Sequence, residues 1–447
     1  MPRKTDRREF MKMTAAAGVG FWVANSYGRS MREAGPQPRR IGPNEKLNIA
    51  CVGVGGRGRG NLDGVKGENI VALCDVDERQ AASAFKEFPD TPKFHDYRVM
   101  LDKLHKQIDA VVVSTPDHMH APITLAAMQL GKHVYCEKPL TRTVDEARRV
   151  GEAAAKYKVT TQMGNGGNAK KGARRSVEMI RSGAIGPVRE VHAWTDRPVG
   201  WWPQGIDRPK DTPPVPDTLK WDLWLGVAPE RPYHPAYVPS KWRGWWDFGT
   251  GALGDMACHI CNVAFWSLDL KDPTAVECKV SGLHKETAPA WSKVVWEFPA
   301  RGKQPPVKFH WYDGGQKPLP ELAEGREMPG NGSLLIGDRG TLYLPSPDGA
   351  TIVLLPEEKF ADFKAPPKTL PDSPGHHAEW IQACKQGRQG KQYMSHFGRA
   401  AAMTEALLLG NLSVRTGKRI EWDARGMKVT NLPEANQYVK PPYRKGW

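Results

Sequence analysis

From residue 47 onward the chain alternates short apolar runs with stretches whose apolar positions recur every three or four residues. The runs at 47–52, 70–74, 109–114, 133–136 and 159–163 have the length and β-branched content of buried strands. Residues 77–88, a segment ending near 130, and 143–156 have helical spacing, and Thr143 followed by Glu146 gives the last of these a capping-box start. Strand alternating with helix predicts a doubly wound parallel sheet, in which ligands bind beyond the carboxyl ends of the strands. The residues just after each strand therefore become site candidates. Past residue 165 the rhythm changes. A helix at 169–181 leads into strands at 188–194, 275–280, 293–298, 307–312, 333–336, 341–344 and 351–355, and helices at 376–385 and 397–416 follow. That pattern predicts an α+β domain built on a largely antiparallel sheet.

The first strand breaks into Gly53, Gly55 and Gly58, which fit G-x-G-x-x-G between a strand and a helix. The first glycine allows a tight turn, the second lets backbone approach a pyrophosphate, and the third lets the helix pack on the strand, with the phosphates on the helix N-terminus. The second strand ends in Asp75, 22 residues after Gly53, where an acidic group takes the ribose hydroxyls of NAD. A 2′-phosphate would meet that carboxylate, so NAD is favoured over NADP, although Arg57 and Arg59 lie close by. The fold class is thus α/β, with a Rossmann-type NAD-binding domain over 45–165, an α+β domain over 166–430, and a tail over 431–447.

Net charge is +15, of which residues 1–40 supply +6 through nine Lys/Arg against three Asp/Glu. The remaining basicity forms no long run, so nucleic-acid binding is not expected. Arg7-Arg8-Glu9-Phe10-Met11-Lys12, followed by a modest apolar stretch, resembles a twin-arginine export signal and predicts a periplasmic or secreted protein. No stretch is long and apolar enough to span a bilayer, so no membrane association is expected after export. The seven cysteines are scattered, and Cys51, Cys74 and Cys136 read as small core residues. Cys258 and Cys261 form C-x-x-C without a second ligand pair, so no metal is expected there. Eight of the sixteen tryptophans fall between residues 194 and 246. They read either as an irregular loop pinned by large rings or as a carbohydrate-binding surface.

Glu137-Lys138-Pro139 follows a later strand, and Asp255 and His259 stand at i and i+4, on one face of a helix. A histidine held by a carboxylate can take the proton of a secondary alcohol, and a neighbouring lysine can stabilise the oxyanion. The glycine turn, E-K-P and D-x-x-x-H, in this order, resemble the glucose-fructose oxidoreductase and inositol dehydrogenase family, Gfo/Idh/MocA, over residues 47–423. The resemblance implies that Lys138, Asp255 and His259 are catalytic. His259 would be the acid/base, Asp255 its orienter and Lys138 the electrostatic partner. It places Ser114, Thr115, Pro116, His120 and Glu137 against the nicotinamide, implies a cis peptide before Pro139, and implies a homo-oligomer, dimer or tetramer. Met163-Gly164-Asn165-Gly166-Gly167-Asn168 departs from the family, where many relatives carry an arginine.

The function expected is NAD-dependent hydride transfer to or from a ring hydroxyl of a small carbohydrate, whether sugar, cyclitol or glycoside. Two alternatives remain open: a glycosidase that oxidises its substrate transiently, and a non-catalytic carbohydrate-binding protein.

Overall fold

A computed structural model describes residues 36–347, 349–387 and 393–447; the twin-arginine-like stretch at 7–12 lies outside the described residues. The N-terminal part runs β1 (Asn48–Val52), α1 (Arg57–Val65), β2 (Asn69–Cys74), α2 (Glu78–Glu87), β3 (Lys93–Phe94), α3 (Tyr97–Leu104), β4 (Ala110–Val113), α4 (Asp117–Gln129), β5 (His133–Cys136), α5 (Val144–Tyr157) and β6 (Thr161–Met163). The strands form one sheet in the order β3-β2-β1-β4-β5-β6, parallel throughout. In β1, Ile49 and Cys51 enter one core while Ala50 and Val52 enter another, so both faces are covered. A strand covered on both sides must be apolar without alternation, as the run at 47–52 is. The strand order changes direction between β1 and β4, which opens the crevice where a dinucleotide binds in such sheets. Thr143 accepts from the Glu146 amide at 3.3 Å, and Glu146 returns the bond to the Thr143 amide at 3.0 Å, completing the expected capping box.

The C-terminal part runs α6 (Lys171–Arg181), β7 (Val188–Thr195), α7 (Trp221–Leu225), α8 (Gly251–Ile260), α9 (Asn262–Leu268), β8 (Ala275–Val280), β9 (Ser292–Phe298), β10 (Val307–Tyr312), β11 (Asn331–Gly337), β12 (Gly340–Leu344), β13 (Val353–Leu355), α10 (His376–Gln386), α11 (Phe397–Thr416), β14 (Ile420–Asp423) and β15 (Lys428–Val429). Its nine strands are ordered β13-β12-β11-β7-β10-β9-β8-β14-β15, antiparallel except for the β7–β10 pair. Helix α11 is apolar on nearly every side because it is sandwiched between α5, α8 and strands β8 and β9. Arg148 on α5 grips Glu405 on α11 with two hydrogen bonds of 2.8 and 2.6 Å, clamping the two domains together. No helix among the described residues is long and apolar enough to cross a membrane.

The tryptophan-rich segment folds mainly as a small core of its own. Trp224, Trp242, Trp245, Tyr237 and Phe248 pack together, and Trp194, Trp202 and Trp246 are also buried. Trp201 alone of the eight is widely exposed, at 62 %. The segment is therefore a loop pinned by its rings, not a flat aromatic platform.

Candidate active site

The turn after β1 is as tight as its glycines allow. Gly53 has φ +75°, and a Cβ there would stand 2.7 Å from the Ser114 carbonyl oxygen; a Cβ on Gly58 would stand 1.9 Å from the Gly53 carbonyl oxygen. Gly55 lies against Gln80 in the same way. Asp75, at the end of β2, accepts the Val54 amide at 2.8 Å and the Asp77 amide at 3.0 Å, which fixes its carboxylate at the lip of the turn. Arg57 donates to Glu137 at 2.9 Å, and Arg59 pairs with Asp63 and Glu87. Both arginines that left room for NADP are thus engaged by carboxylates.

The crevice is a cavity of about 310 Å³. Gly53, Gly55, Asp75, Ser114, Thr115, Pro116, Glu137 and Lys138 line it, joined by Trp242 and Arg243 from the tryptophan-rich loop. A dinucleotide fits these residues. Cβ atoms would fill the glycine cradle, the N-terminus of α1 carries no side-chain cap, and the Thr115 hydroxyl is buried without a partner. His120 does not line the cavity. It is buried behind the wall, with its two ring nitrogens each 2.7 Å from a carbonyl, those of Thr115 and Pro139, so that it braces one loop against the other. The Lys138–Pro139 peptide is cis.

Lys138 Nζ donates to Asp255 Oδ1 at 2.8 Å and to the Asp255 carbonyl at 2.9 Å, and Arg243 Nε donates to the same Oδ1 at 3.0 Å. Burial alone would push the Asp255 carboxyl up, but the Lys138 and Arg243 charges outweigh it and hold the group at about 2. Burial likewise disfavours the Lys138 ammonium; the facing Asp255 carboxylate overcomes this and raises Lys138 above the ordinary lysine value. Lys138 therefore stays charged at neutral pH. Burial, aided by the Lys138 charge, pushes His259 down to about 4, so its imidazole is neutral.

The structure departs from the expected pairing within the site. Asp255 and His259 do share one face of α8, but the Asp255 carboxylate is taken by Lys138 and Arg243. His259 Nδ1 instead faces Asn165 Oδ1 at 3.1 Å, while Asn165 Nδ2 donates to the Cys258 carbonyl. Neither Asp255 nor His259 lines the cavity itself, and Asp255 meets it through Lys138. Glu137 accepts from Arg57, from Asn61 at 2.9 Å and from the Lys138 amide at 3.1 Å. It owes its place to Gly164, where a Cβ would stand 2.6 Å from its carboxyl carbon. Asn165, Arg243 and Asn61 were not singled out in the sequence. Asn165 carried a usable signal, since it follows β6 at the same carboxyl edge as the other site residues.

Comparison with known proteins agrees with this geometry. A family model described as oxidoreductase family, NAD-binding Rossmann fold matches residues 47–165, and its companion, the C-terminal alpha/beta domain, matches 191–304. Glycosyl hydrolase family 109 proteins are similar in sequence. One from Solibacter usitatus is 39% identical over 155 residues, covering 32% of this chain and 35% of the relative, and one from Shewanella pealeana is 28% identical over 226 residues, covering 46% and 49%. The chain thus matches about a third to a half of the length of these curated relatives. Among solved structures, the fold is shared with the WlbA dehydrogenase from Bordetella pertussis in complex with NADH and UDP-GlcNAcA (TM-score 0.59, 17% identity, 85% of this chain and 99% of that one). It is also shared with an inositol dehydrogenase homolog from Azotobacter vinelandii complexed with NADH and myo-inositol (TM-score 0.55, 17% identity, 87% and 100%). With its glycine turn, its two domains and both family models in register along the sequence, this chain belongs to the Gfo/Idh/MocA family of NAD-binding oxidoreductases.

Proposed function

We propose that this protein interconverts a ring carbinol of a sugar, cyclitol or glycoside with its ketone, with Lys138 and His259 managing the charge and the proton. One observation carries the reading: a charged lysine on the wall of the cofactor cavity, locked to Asp255 at 2.8 Å, beside a helix whose next turn presents a neutral imidazole. Bound NAD supplies the hydride acceptor for oxidation and the donor for the reverse reaction. The glycine turn and the α1 N-terminus would hold its pyrophosphate, Asp75 a ribose, and Thr115, Pro116 and Glu137 the nicotinamide end. His259 takes the hydroxyl proton at Nε2, the nitrogen that makes no hydrogen bond to another described residue when Nδ1 faces Asn165. The Lys138 ammonium stabilises the alkoxide that this leaves. Asp255 and Arg243 fix the position of that ammonium, so no reorganisation is needed when the negative charge appears.

The similarity to glycosyl hydrolase family 109 proteins favours a second reading of the same residues. The substrate would be oxidised transiently, lose its aglycone by elimination, take up water across the resulting double bond and be reduced again, with no net redox change. NAD-loaded protein offered a panel of sugars, cyclitols and aryl glycosides separates the readings. A lasting nicotinamide absorbance change supports net oxidation, aglycone release dependent on bound NAD supports the glycosidase, and neither response with any compound overturns both. Export through the twin-arginine-like leader and assembly into a dimer or tetramer complete the proposal. Cell fractionation and light scattering test them.

A further inference from the structure

On the face of the large sheet turned away from α8, strands β7 and β10 bring together a group of side chains that the proposed reaction does not use. Val191, Ala193, Phe309 and Trp311 point into the main core. Alternation along each strand therefore puts Glu190, His192, His310 and Tyr312 on the opposite face. The parallel register sets His192 directly beside His310. Their rings stack with centroids 4.6 Å apart and planes 9° from parallel, and both Nε2 atoms approach one oxygen, Glu190 Oε1, at 2.9 and 3.3 Å. One ligand atom from each of the three residues lies within 4.8 Å of the others. His310 Nε2 is shielded from water and, although 3.3 Å from Glu190 Oε1, makes no hydrogen bond, so a buried lone pair or N–H is aimed into the cluster without a hydrogen-bond partner.

We propose that Glu190, His192 and His310 form a binding site for one divalent transition-metal cation, zinc foremost. Two imidazole nitrogens and a carboxylate suit zinc and its neighbours, whereas calcium and magnesium demand oxygen throughout. Tyr312 supplies the outer contact such sites use: its hydroxyl lies 3.0 Å from His192 Nδ1. Because a hydroxyl both donates and accepts, it can take an Nδ1 proton and leave the Nε2 lone pair for the metal. The Glu190 side chain is 42% exposed, so the cluster borders solvent and water could supply a fourth ligand. The ligands come from strands more than a hundred residues apart, so no spacing in the sequence could announce them. The metal would tie together β7 and β10, the parallel pair in this sheet.

The test uses the full chain without a histidine tag. Titration with zinc chloride should saturate near one equivalent, and cobalt(II) should give the visible absorption of a tetrahedral nitrogen–oxygen site. His310→Ala and His192→Ala should each weaken zinc binding by about 100-fold, and Tyr312→Phe by about 10-fold, with NAD binding kept as the check on folding. Cys258→Ser, outside the cluster, should leave zinc binding unchanged. Wild-type protein that takes up no zinc or cobalt overturns the proposal without recourse to any variant. So does binding that survives both histidine substitutions or vanishes with Cys258→Ser.

Discussion

Asn165 Oδ1 stands 3.1 Å from His259 Nδ1, and the other end of the same amide is spent on the Cys258 carbonyl. An amide whose N–H₂ serves a carbonyl must turn its oxygen to the imidazole, which puts the histidine proton on Nδ1 and the free lone pair on Nε2. Asn165→Ala should lower kcat about 100-fold by releasing the ring from its working orientation, with NAD affinity unchanged in a fluorescence titration. Asn165→Asp should raise the His259 pKa from about 4, because a carboxylate favours imidazolium, and so move the acidic limb of the kcat/KM profile to higher pH.

Asp255→Asn leaves Lys138 and Arg243 without the carboxylate they share. A buried pair broken on one side costs about 3–5 kcal/mol, read as a drop in denaturant midpoint. Lys138, no longer held up by Asp255, should then titrate at lower pH and bring the basic limb of the rate profile down with it. A basic limb that stays in place would show that Lys138 does not govern it.

Asp117 gives a pH dependence of opposite sign to that of ordinary salt-bridged carboxylates. Burial, reinforced by the Asp255 charge, pushes it up to about 7; the Thr250 hydroxyl donates to Oδ2 at 2.8 Å, while Oδ1 has no partner. The folded protein therefore holds a proton that the unfolded chain releases near 3.8, and this stabilisation is complete below about pH 4 and lost as pH rises through 7. Asp117→Asn cannot ionise, so its Tm relative to wild type should climb between pH 4 and 8. A constant difference would contradict the assignment.

Gly58→Ala places a methyl group 1.9 Å from a backbone oxygen, so the turn must move. NAD binding should weaken by at least about 10-fold, since the α1 N-terminus can no longer sit against the pyrophosphate. Asp75→Ala should narrow the preference for NAD over NADP, measured as the ratio of the two dissociation constants.

Much of this was legible along the chain, for definite reasons. The parallel sheet announced itself because a strand covered on both faces must be uniformly apolar, and the glycine turn because no Cβ fits at Gly53 or Gly58. The spacing of Asp255 and His259 fixed their common helix face, but not which partner each would find. That depended on Asn165 and Arg243, brought in from segments 94 and 12 residues distant. Residues 89–108 carried no assignment, yet hold β3 and α3; a two-residue strand has no period to detect. Tryptophans read from sequence as either a carbohydrate-binding surface or a loop pinned by its rings resolved as the pinned loop, because ring-to-ring packing is a tertiary property.

The central claim is that His259 takes the proton and Lys138 carries the charge for a reaction at bound nicotinamide. Single-turnover absorbance of NAD-loaded protein, mixed with the most reactive sugar or glycoside, tests it most directly. The account predicts rapid nicotinamide reduction in wild type, and a fall of about 100-fold or more in both Lys138→Ala and His259→Ala while NAD stays bound. Reduction at the wild-type rate in either variant would contradict it.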